Sequence, residues 1–273
     1  MKLVLFDIDG TLLWSDGAGR SAIRQALLAE TGATGPIDGF RFDGKMDPQI
    51  ISELMRGAGH PDAGSPASID AVCDRYVELL ERELANGSRN VRALPGVVAL
   101  LDALDETTQV IVGLLTGNIE AGARLKLRAA GIDFDRFRVG AFGSDAPARS
   151  GLPQIAAARA ADLMEGTPAG AQIVIIGDTP ADVTCGAGIA ARAIAVATGS
   201  YSADELAAAG AHTVFEDLSD TSRVVAAILS RAWASRSCGF PNSARPWVSW
   251  SRARARLVRG SRSMPTDAGW RRK

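Results

Sequence analysis

The chain has 273 residues, of which 47% are apolar, so it can fold as one large or two smaller globular domains with a full core. Its apolar runs are too short to cross a bilayer, and the first one is interrupted by Asp7, which argues against a signal peptide and predicts a cytoplasmic protein without membrane contact. The net charge of −1 combines an acidic body, with 19 basic and 30 acidic residues in 1–230, and a tail with eleven basic residues and one acidic residue in 231–273. The body is therefore a poor candidate for binding nucleic acid, and only the tail favours it.

The few cysteines and histidines restrict the available chemistry. Cys73, Cys185 and Cys238 are widely spaced and form no zinc-binding pattern. His60 and His212 are too far apart in the sequence to suggest a histidine-based metal site or triad. Catalysis in this chain must therefore depend on carboxylates, on hydroxyls and on lysine or arginine.

The start of the chain predicts a buried strand that ends in acidic residues. Leu3 to Phe6 is a continuous apolar run closed by Asp7. Asp7 and Asp9 are two positions apart, so in extended chain their side chains face the same side. Gly10 then permits a tight turn, and Thr11 adds a hydroxyl. Two carboxylates this close are costly unless a cation lies between them or one is protonated, so the pair predicts a functional site.

Residues 14–90 have the apolar spacing of helices. We expect helices over about 18–30, 47–56 and 68–84, the first two ended by glycines. Together they predict a small all-α domain that follows the first strand and precedes the second. A polar loop, Gly44-Lys45-Met46-Asp47, leads into its second helix.

Residues 91–230 alternate between strand and helix patterns, with strands expected at about 109–115, 137–142, 172–176, 193–196 and 213–215. This alternation predicts an α/β fold, a Rossmann-like parallel sheet with helices on both faces, formed by residues 1–13 and 91–230. In such sheets the site lies at the carboxyl ends of the strands. Polar clusters directly follow three of the predicted strands: Asp7 with Asp9, Thr116 with Asn118, and Asp178 with Asp182.

Three of these segments together resemble a known family. Asp7-Ile8-Asp9-Gly10-Thr11-Leu12 resembles the first motif of the haloacid dehalogenase-like hydrolase superfamily, Leu114-Leu115-Thr116-Gly117-Asn118 its second, and Gly177-Asp178-Thr179-Pro180-Ala181-Asp182 its fourth. The resemblance covers residues 1 to about 230 and is greatest to phosphoglycolate-phosphatase-like enzymes with a helical cap, which residues 14–90 would form.

The resemblance implies a Mg²⁺-dependent phosphatase that acts on a small phosphorylated metabolite, a phosphate monoester. Asp7 would be the nucleophile that forms an aspartyl-phosphate. Asp9 would protonate the leaving oxygen and then deprotonate the attacking water, and we expect a nearby charge to raise its pKa for this task. Asp7 and Asp178 would bind the metal by their carboxylates and Asp9 by its backbone carbonyl, with Asp182 as a further ligand or support.

The phosphate would be held by a second set of residues. The resemblance gives this role to Thr116 and the amides of Gly117 and Asn118, and we place Gly10 beside them. The family's third motif is a Lys or Arg that ties the phosphate to the nucleophile. Its usual Lys-Pro form is absent, and Arg149 is the only basic residue between Phe142 and Leu152, so we assign it that role.

Lys45 is the cap residue that we expect to pair with an anionic group of the substrate, with Arg41 as the reserve. The alternative is that Lys45 is simply a solvated charge on a loop. The choice depends on the arrangement of the cap, which the sequence alone does not give.

Other functions stay open at this point. A sugar phosphomutase of the same family keeps both Asp7 and Asp9 and is the closest rival. A non-catalytic protein that binds through the basic tail is the rival from another class. We expect residues 231–273 to be a disordered extension; a nucleic-acid-binding arm, or a segment without a selected role such as a shifted reading frame, are the alternatives.

Overall fold

The computed structural model describes residues 1–230. Its strands are β1 (Lys2–Phe6), β2 (Leu13–Trp14), β3 (Arg92–Ala93), β4 (Val110–Leu115), β5 (Val139–Ala141), β6 (Ile173–Gly177), β7 (Arg192–Val196) and β8 (Thr213–Phe215). Its α-helices are α1 (Ala18–Thr31), α2 (Asp47–Gly57), α3 (Pro66–Ala85), α4 (Val97–Asp105), α5 (Glu120–Ala129), α6 (Leu152–Arg159), α7 (Pro180–Cys185), α8 (Ala203–Ala208) and α9 (Thr221–Leu229). The predictions for 231–273 lie outside the described residues. Among the helices of 1–230, none combines the length and apolar character needed to span a membrane.

The described residues form a six-stranded parallel sheet in the order β5-β4-β1-β6-β7-β8. β1 lies between β4 and β6, and its last residue, Phe6, is in register with Leu114 on one side and Ile176 on the other. The predicted α/β fold is confirmed. This register places the residues that follow β1, β4 and β6 along one edge of the sheet.

Alternate residues of β1 enter different apolar clusters on the two faces of the sheet. Val4 and Phe6 pack in a cluster that includes side chains from α4, α5 and α9. Leu3 and Leu5 belong to a second cluster, with side chains from α6 and with Cys185 of α7. Every residue from Leu3 to Phe6 is fully buried, as expected for the central strand of a parallel sheet covered on both faces.

Helices α1, α2 and α3 share a third apolar cluster, which includes Ile23, Leu54 and Tyr76. A short antiparallel pair joins this helical part to the sheet, because β2 and β3 pair where the chain leaves it and returns. The sequence did not predict this pair, since two-residue strands are too short to have a recognisable pattern. The domain boundaries at 13/14 and 90/91 fall at this pair and stay a prediction, which the separate cluster supports.

Candidate active site

The carboxyl ends of three neighbouring strands carry the predicted site residues. Asp7 follows β1, Thr116 follows β4 and Asp178 follows β6. The aligned ends of these strands bring the three side chains to one edge of the sheet, where they border the same cavity. All three residues are buried, with exposed fractions of 8% or less, so their polar groups interact in a site largely screened from water.

Arg149 links two of the acidic residues. Its Nη2 donates a 3.0 Å hydrogen bond to Oδ1 of Asp7 and also bonds to Oδ1 of Asp182. Burial and the charge of Asp182 raise the pKa of Asp7 to about 7, although Arg149 acts in the opposite direction. Arg149 is therefore in direct contact with Asp7, and its role as the third-motif cation stays a prediction that this contact supports.

Gly10 and Gly199 approach the Asp178 carboxylate so closely that neither position has room for a side chain. A Cβ on Gly10, whose φ is +81°, or on Gly199 would collide with the Asp178 carboxylate. The Thr11 hydroxyl donates a 3.0 Å hydrogen bond to Oδ1 of Asp178. Burial, with the adjacent charges of Asp182 and Asp7, raises the pKa of Asp178 well above its usual range.

Asp7, Asp178 and Asp182 each offer a carboxylate oxygen within 4.8 Å of the others, so they can hold a metal ion. The donors are all hard oxygens, which suit Mg²⁺ better than a soft-ligand metal. The raised pKa values of Asp7 and Asp178, caused first by burial and then by the adjacent charge of Asp182, are those of buried carboxylates that a cation would stabilise in the charged form. The residues present therefore fit a divalent cation.

Asp182 is partly explained by local structure. It occupies the third position of α7, where its Oδ2 accepts hydrogen bonds from the Thr179 amide (3.0 Å) and hydroxyl (2.6 Å) in a capping box. Its other oxygen is bonded to Arg149. Because both oxygens already have partners, Asp182 is better placed to hold Arg149 and α7 than to be the principal metal ligand.

Asp9 is surrounded by donors. Its Oδ1 accepts from the Ser15 hydroxyl (2.7 Å), and its Oδ2 accepts from Asn118 Nδ2 (2.9 Å) and Lys126 Nζ (2.7 Å). Burial works to raise the pKa of Asp9, but the charge of Lys126 and these hydrogen bonds together lower it. The expectation of a raised pKa was wrong, because the nearest charge is a cation that the sequence analysis had not identified.

The predicted phosphate-binding residues lie around Thr116. Oγ1 of Thr116 is 2.8 Å from Asn118 Nδ2 and 3.3 Å from the Asn118 amide. Gly117 follows in the same turn and touches the cap, since a Cβ there would collide with the Lys45 carbonyl. Gly10 also borders the cavity, but its amide donates a 2.9 Å hydrogen bond to the Leu13 carbonyl and so closes a turn.

The cap loop contacts the sheet edge directly. The Asp47 amide donates to the Gly117 carbonyl (2.8 Å), and Asp47 Oδ2 accepts from the Ile119 amide (3.0 Å). Burial raises the pKa of Asp47 to about 6, although Lys126 acts in the opposite direction. Lys45 borders the cavity, but its Nζ is paired with Glu53 at 2.7 Å.

Arg41, the reserve for Lys45, is mostly exposed and pairs with Asp43 at 2.9 Å. Its guanidinium also lies over the Tyr201 ring, 5.1 Å from the ring centroid. Arg41 does not border the cavity that Asp7 and Lys45 line, so Lys45 is the better placed of the two cations to contact a substrate.

Lys126 and Tyr76 are among the residues of this site that the sequence analysis missed. Lys126 is only 5% exposed, and it lies on the buried face of α5 with Gly122, Ala123 and Leu127. A lysine at an apolar position of a helix was the available signal. Tyr76 looked like an ordinary core residue of α3, and only the packing of α3 against α5 brings it to the site.

A cavity of about 260 Å³ lies between the sheet edge and the helical part. It is large enough for a small metabolite and not for a macromolecule. From the sheet side it is lined by Asp7, Asp9, Thr116, Lys126 and Asp178, and from the helical side by Arg20, Phe42, Lys45, Asp47 and Tyr76.

The family model of the haloacid dehalogenase-like hydrolases matches residues 1–189. This match spans β1 to α7 and includes every acidic residue of the site, and the chain therefore belongs to the haloacid dehalogenase-like hydrolase family. The resemblance noted from the sequence motifs is confirmed, and the protein is a hydrolase. No curated protein matches the chain.

Solved structures share the fold. A hydrolase from Pseudomonas syringae aligns with a TM-score of 0.65 at 24% identity, over 84% of this chain and all of the other. CbbY from Rhodobacter sphaeroides in complex with phosphate gives 0.62 at 19% identity, over 81% of this chain and 96% of CbbY. A predicted phosphoglycolate phosphatase from Haemophilus somnus gives a TM-score of 0.57 at 18% identity, over 82% of this chain and 98% of the other. At these identities the likeness shows the fold alone.

Proposed function

We propose that the protein is a Mg²⁺-dependent phosphatase that hydrolyses a small phosphate monoester. The observation that carries the proposal is the contact between Arg149 and Asp7, which places a buried cation beside a carboxylate at the centre of the sheet edge. Asp178 and Thr116 lie on the two flanking strand ends. The named activity of the Haemophilus somnus structure, phosphoglycolate phosphatase, agrees with this class of substrate.

The first half of the reaction forms a bond between an Asp7 oxygen and phosphorus while the bond to the leaving oxygen breaks. Asp9 gives its proton to that oxygen. This half requires protonated Asp9, and the approach of a phosphate dianion favours that form because like charge raises a pKa. Arg149 and Thr116 hold the non-bridging oxygens through hydrogen bonds.

The second half is hydrolysis of the aspartyl-phosphate. Water attacks phosphorus, Asp9 accepts its proton, and the bond to Asp7 breaks to release inorganic phosphate. The hydrogen bonds from Ser15, Asn118 and Lys126 favour the carboxylate form of Asp9, which is the form that this step needs. The cap loop contacts Gly117 and Ile119 beside the cavity, and a cap in this position would limit the access of water during the first half of the reaction.

A Mg²⁺ ion held by Asp7 and Asp178, with the Asp9 carbonyl, would neutralise the charge that gathers between phosphate and carboxylates. Asp182 would support it through its contact with Arg149. Any divalent ion with oxygen preference fits the same residues, so the choice of Mg²⁺ rests on the resemblance to the family.

The test uses the full chain with Mg²⁺ and 4-nitrophenyl phosphate. Wild type should release nitrophenol and inorganic phosphate, and Asp7→Asn should abolish both. Asp9→Ala should accumulate a phosphoryl group on the peptide that contains Asp7, detected by mass spectrometry after an acid quench. The exposed Asp162→Asn is the matched control and should keep wild-type activity. Hydrolysis that survives Asp7→Asn would rule out the proposed nucleophile.

The sugar phosphomutase alternative differs only in what attacks the aspartyl-phosphate. A mutase transfers the phosphoryl group to a second sugar hydroxyl, so the phosphate reappears at another position of the sugar. Incubation with a sugar 1-phosphate separates the two: inorganic phosphate supports hydrolysis, and an isomeric sugar phosphate supports transfer. The alternative of binding through the tail concerns residues 231–273, outside the described part of the chain.

A further inference from the structure

Lys126 lies at the centre of a hydrogen-bond network that reaches both sides of the site. Its Nζ is 2.7 Å from Asp9 Oδ2 and 2.6 Å from Asn118 Oδ1. A lysine ammonium can only donate hydrogen bonds, so Asn118 must turn its carbonyl oxygen toward Lys126. The amide nitrogen of Asn118 then faces the other way, toward Asp9 Oδ2 (2.9 Å) and Thr116 Oγ1 (2.8 Å).

This orientation of Asn118 determines what Thr116 can do. The Thr116 hydroxyl oxygen accepts from Asn118 Nδ2 and from the Asn118 backbone amide. A hydroxyl has two acceptor positions and one proton, so with both acceptor positions used its proton is left to donate. Thr116 borders the cavity, where a phosphoryl oxygen is the natural acceptor.

The same network fixes Asp9. One carboxylate oxygen is held by Lys126 and Asn118, and the other by Ser15. A carboxylate restrained at both oxygens has one orientation relative to the nucleophile two residues earlier. Correct orientation of an acid–base group is a large part of its effect on rate.

We propose that Lys126 is a positioning residue that orients Asp9 for proton transfer and, through Asn118, turns the Thr116 hydroxyl into a donor for the phosphate. The inference rests on the proposed function, since it assigns Lys126 a part in the same phosphoryl transfer. A purely structural role would be a buried ion pair that ties α5 to the sheet edge. The two roles differ in whether the loss of rate on removing Lys126 depends on the leaving group of the substrate.

The test compares Lys126→Met with wild type on two substrates. Glycerol phosphate has an alkoxide leaving group that needs a proton, and 4-nitrophenyl phosphate has a leaving group that does not. Misplaced acid–base groups typically cost about 100-fold or more, so kcat/KM on glycerol phosphate, which reports only the first half of the reaction, should fall by about 100-fold. On 4-nitrophenyl phosphate the loss should be about tenfold or less, from the weaker phosphate grip.

The matched control is Arg124→Met on the same helix. Arg124 is half exposed and pairs with Glu120, so its removal should leave both activities unchanged. Should Lys126→Met fail to fold, the comparison is made with Lys126→Arg, which keeps the charge but moves the donors. Lys126→Arg should also lose more activity on glycerol phosphate than on 4-nitrophenyl phosphate, with smaller losses on both.

Equal losses on the two substrates, or no loss, would overturn the role of Lys126 while leaving the proposed function intact. The proposed function itself fails separately, if wild type hydrolyses neither substrate or if Asp7→Asn keeps its activity. In that case the role of Lys126 falls with it.

Discussion

Arg149 Nη2 donates a 3.0 Å hydrogen bond to Oδ1 of Asp7, across a separation of 142 residues in the chain. The same nitrogen bonds to Asp182, and Arg149 itself is only 9% exposed. One buried cation thus serves two carboxylates, while Asp178 accepts from the uncharged hydroxyl of Thr11. The site has more negative than positive charge. The stability of the fold should therefore change when either a cation or a carboxylate of the site is replaced.

Removing the buried cation should destabilise the protein strongly. Arg149→Met leaves Asp7 and Asp182 without their buried cation, and we expect the free energy of unfolding to fall by about 3–5 kcal/mol in the presence of EDTA. Excess Mg²⁺ should recover part of this loss. Urea unfolding in EDTA and in excess Mg²⁺ measures the loss of stability and its recovery. The exposed Arg128→Met, which breaks the pair with Glu81, is the control and should change stability by less than about 1 kcal/mol.

Mg²⁺ should stabilise the wild-type fold through the acidic cluster. At 100 times its dissociation constant a ligand adds about 2.7 kcal/mol, which a thermal melt detects as a raised Tm relative to EDTA. Asp178→Asn should remove most of this rise, because Asp178 has no other cation among the described residues. The exposed Asp162→Asn should keep it. A full Mg²⁺ effect in Asp178→Asn would show that the ion binds elsewhere.

Asp47 should make the stability of the fold depend on pH. Its pKa is raised from 3.8 to about 6, by burial and by Asp9 against the opposing charge of Lys126. The folded state therefore binds the proton more tightly than the unfolded state, so stability falls as the pH rises through this interval.

Asp47→Asn removes that buried charge and can still accept from the Ile119 amide. It should be more stable than wild type at pH 7.5, by at most about 3 kcal/mol, and equal to it near pH 4. Denaturant unfolding at the two pH values tests this. A variant that is less stable than wild type at both pH values would contradict the assignment.

Tyr76 is fully buried, and its hydroxyl has no hydrogen-bond partner within residues 1–230. An unsatisfied buried hydroxyl is unfavourable, so Tyr76→Phe should raise the free energy of unfolding by about 1 kcal/mol. Tyr201→Phe, at a partly exposed ring, is the matched control and should change it little. A loss of stability in Tyr76→Phe, measured by chemical denaturation, would indicate a partner for the hydroxyl.

Lys45 should matter for substrates with a second anionic group. Lys45→Ala should lower kcat/KM for phosphoglycolate, which carries a carboxylate, by about tenfold, as expected for the loss of a charged hydrogen bond. It should leave glycerol phosphate nearly unchanged. Arg41→Ala, at an exposed position, should affect neither. If Lys45→Ala changes neither kcat/KM nor the order of substrates, the cap loop does not select the substrate through this residue.

Much of the candidate site could be predicted because its parts follow strands. Asp7, Thr116 and Asp178 each come directly after an apolar run, and parallel strands with short turns bring such positions to one edge of the sheet. Arg149 could be assigned because the resemblance to the family implies a Lys or Arg in this segment, and Arg149 is the only basic residue between Phe142 and Leu152. The short antiparallel pair of β2 and β3 could not be predicted, because a two-residue strand has no periodicity.

The sequence by itself determined the α/β class, the helical insertion and the order of the acidic motifs, since apolar periodicity and the residues at strand ends are local properties. Only the tertiary structure decided the electrostatic state of the site. Lys126 lies eight residues beyond Asn118 on a helix, and it reaches Asp9 only because α5 packs against the edge of the sheet. A pKa depends on every charge within a few ångströms, and those neighbours are set by packing, not by adjacency in the chain.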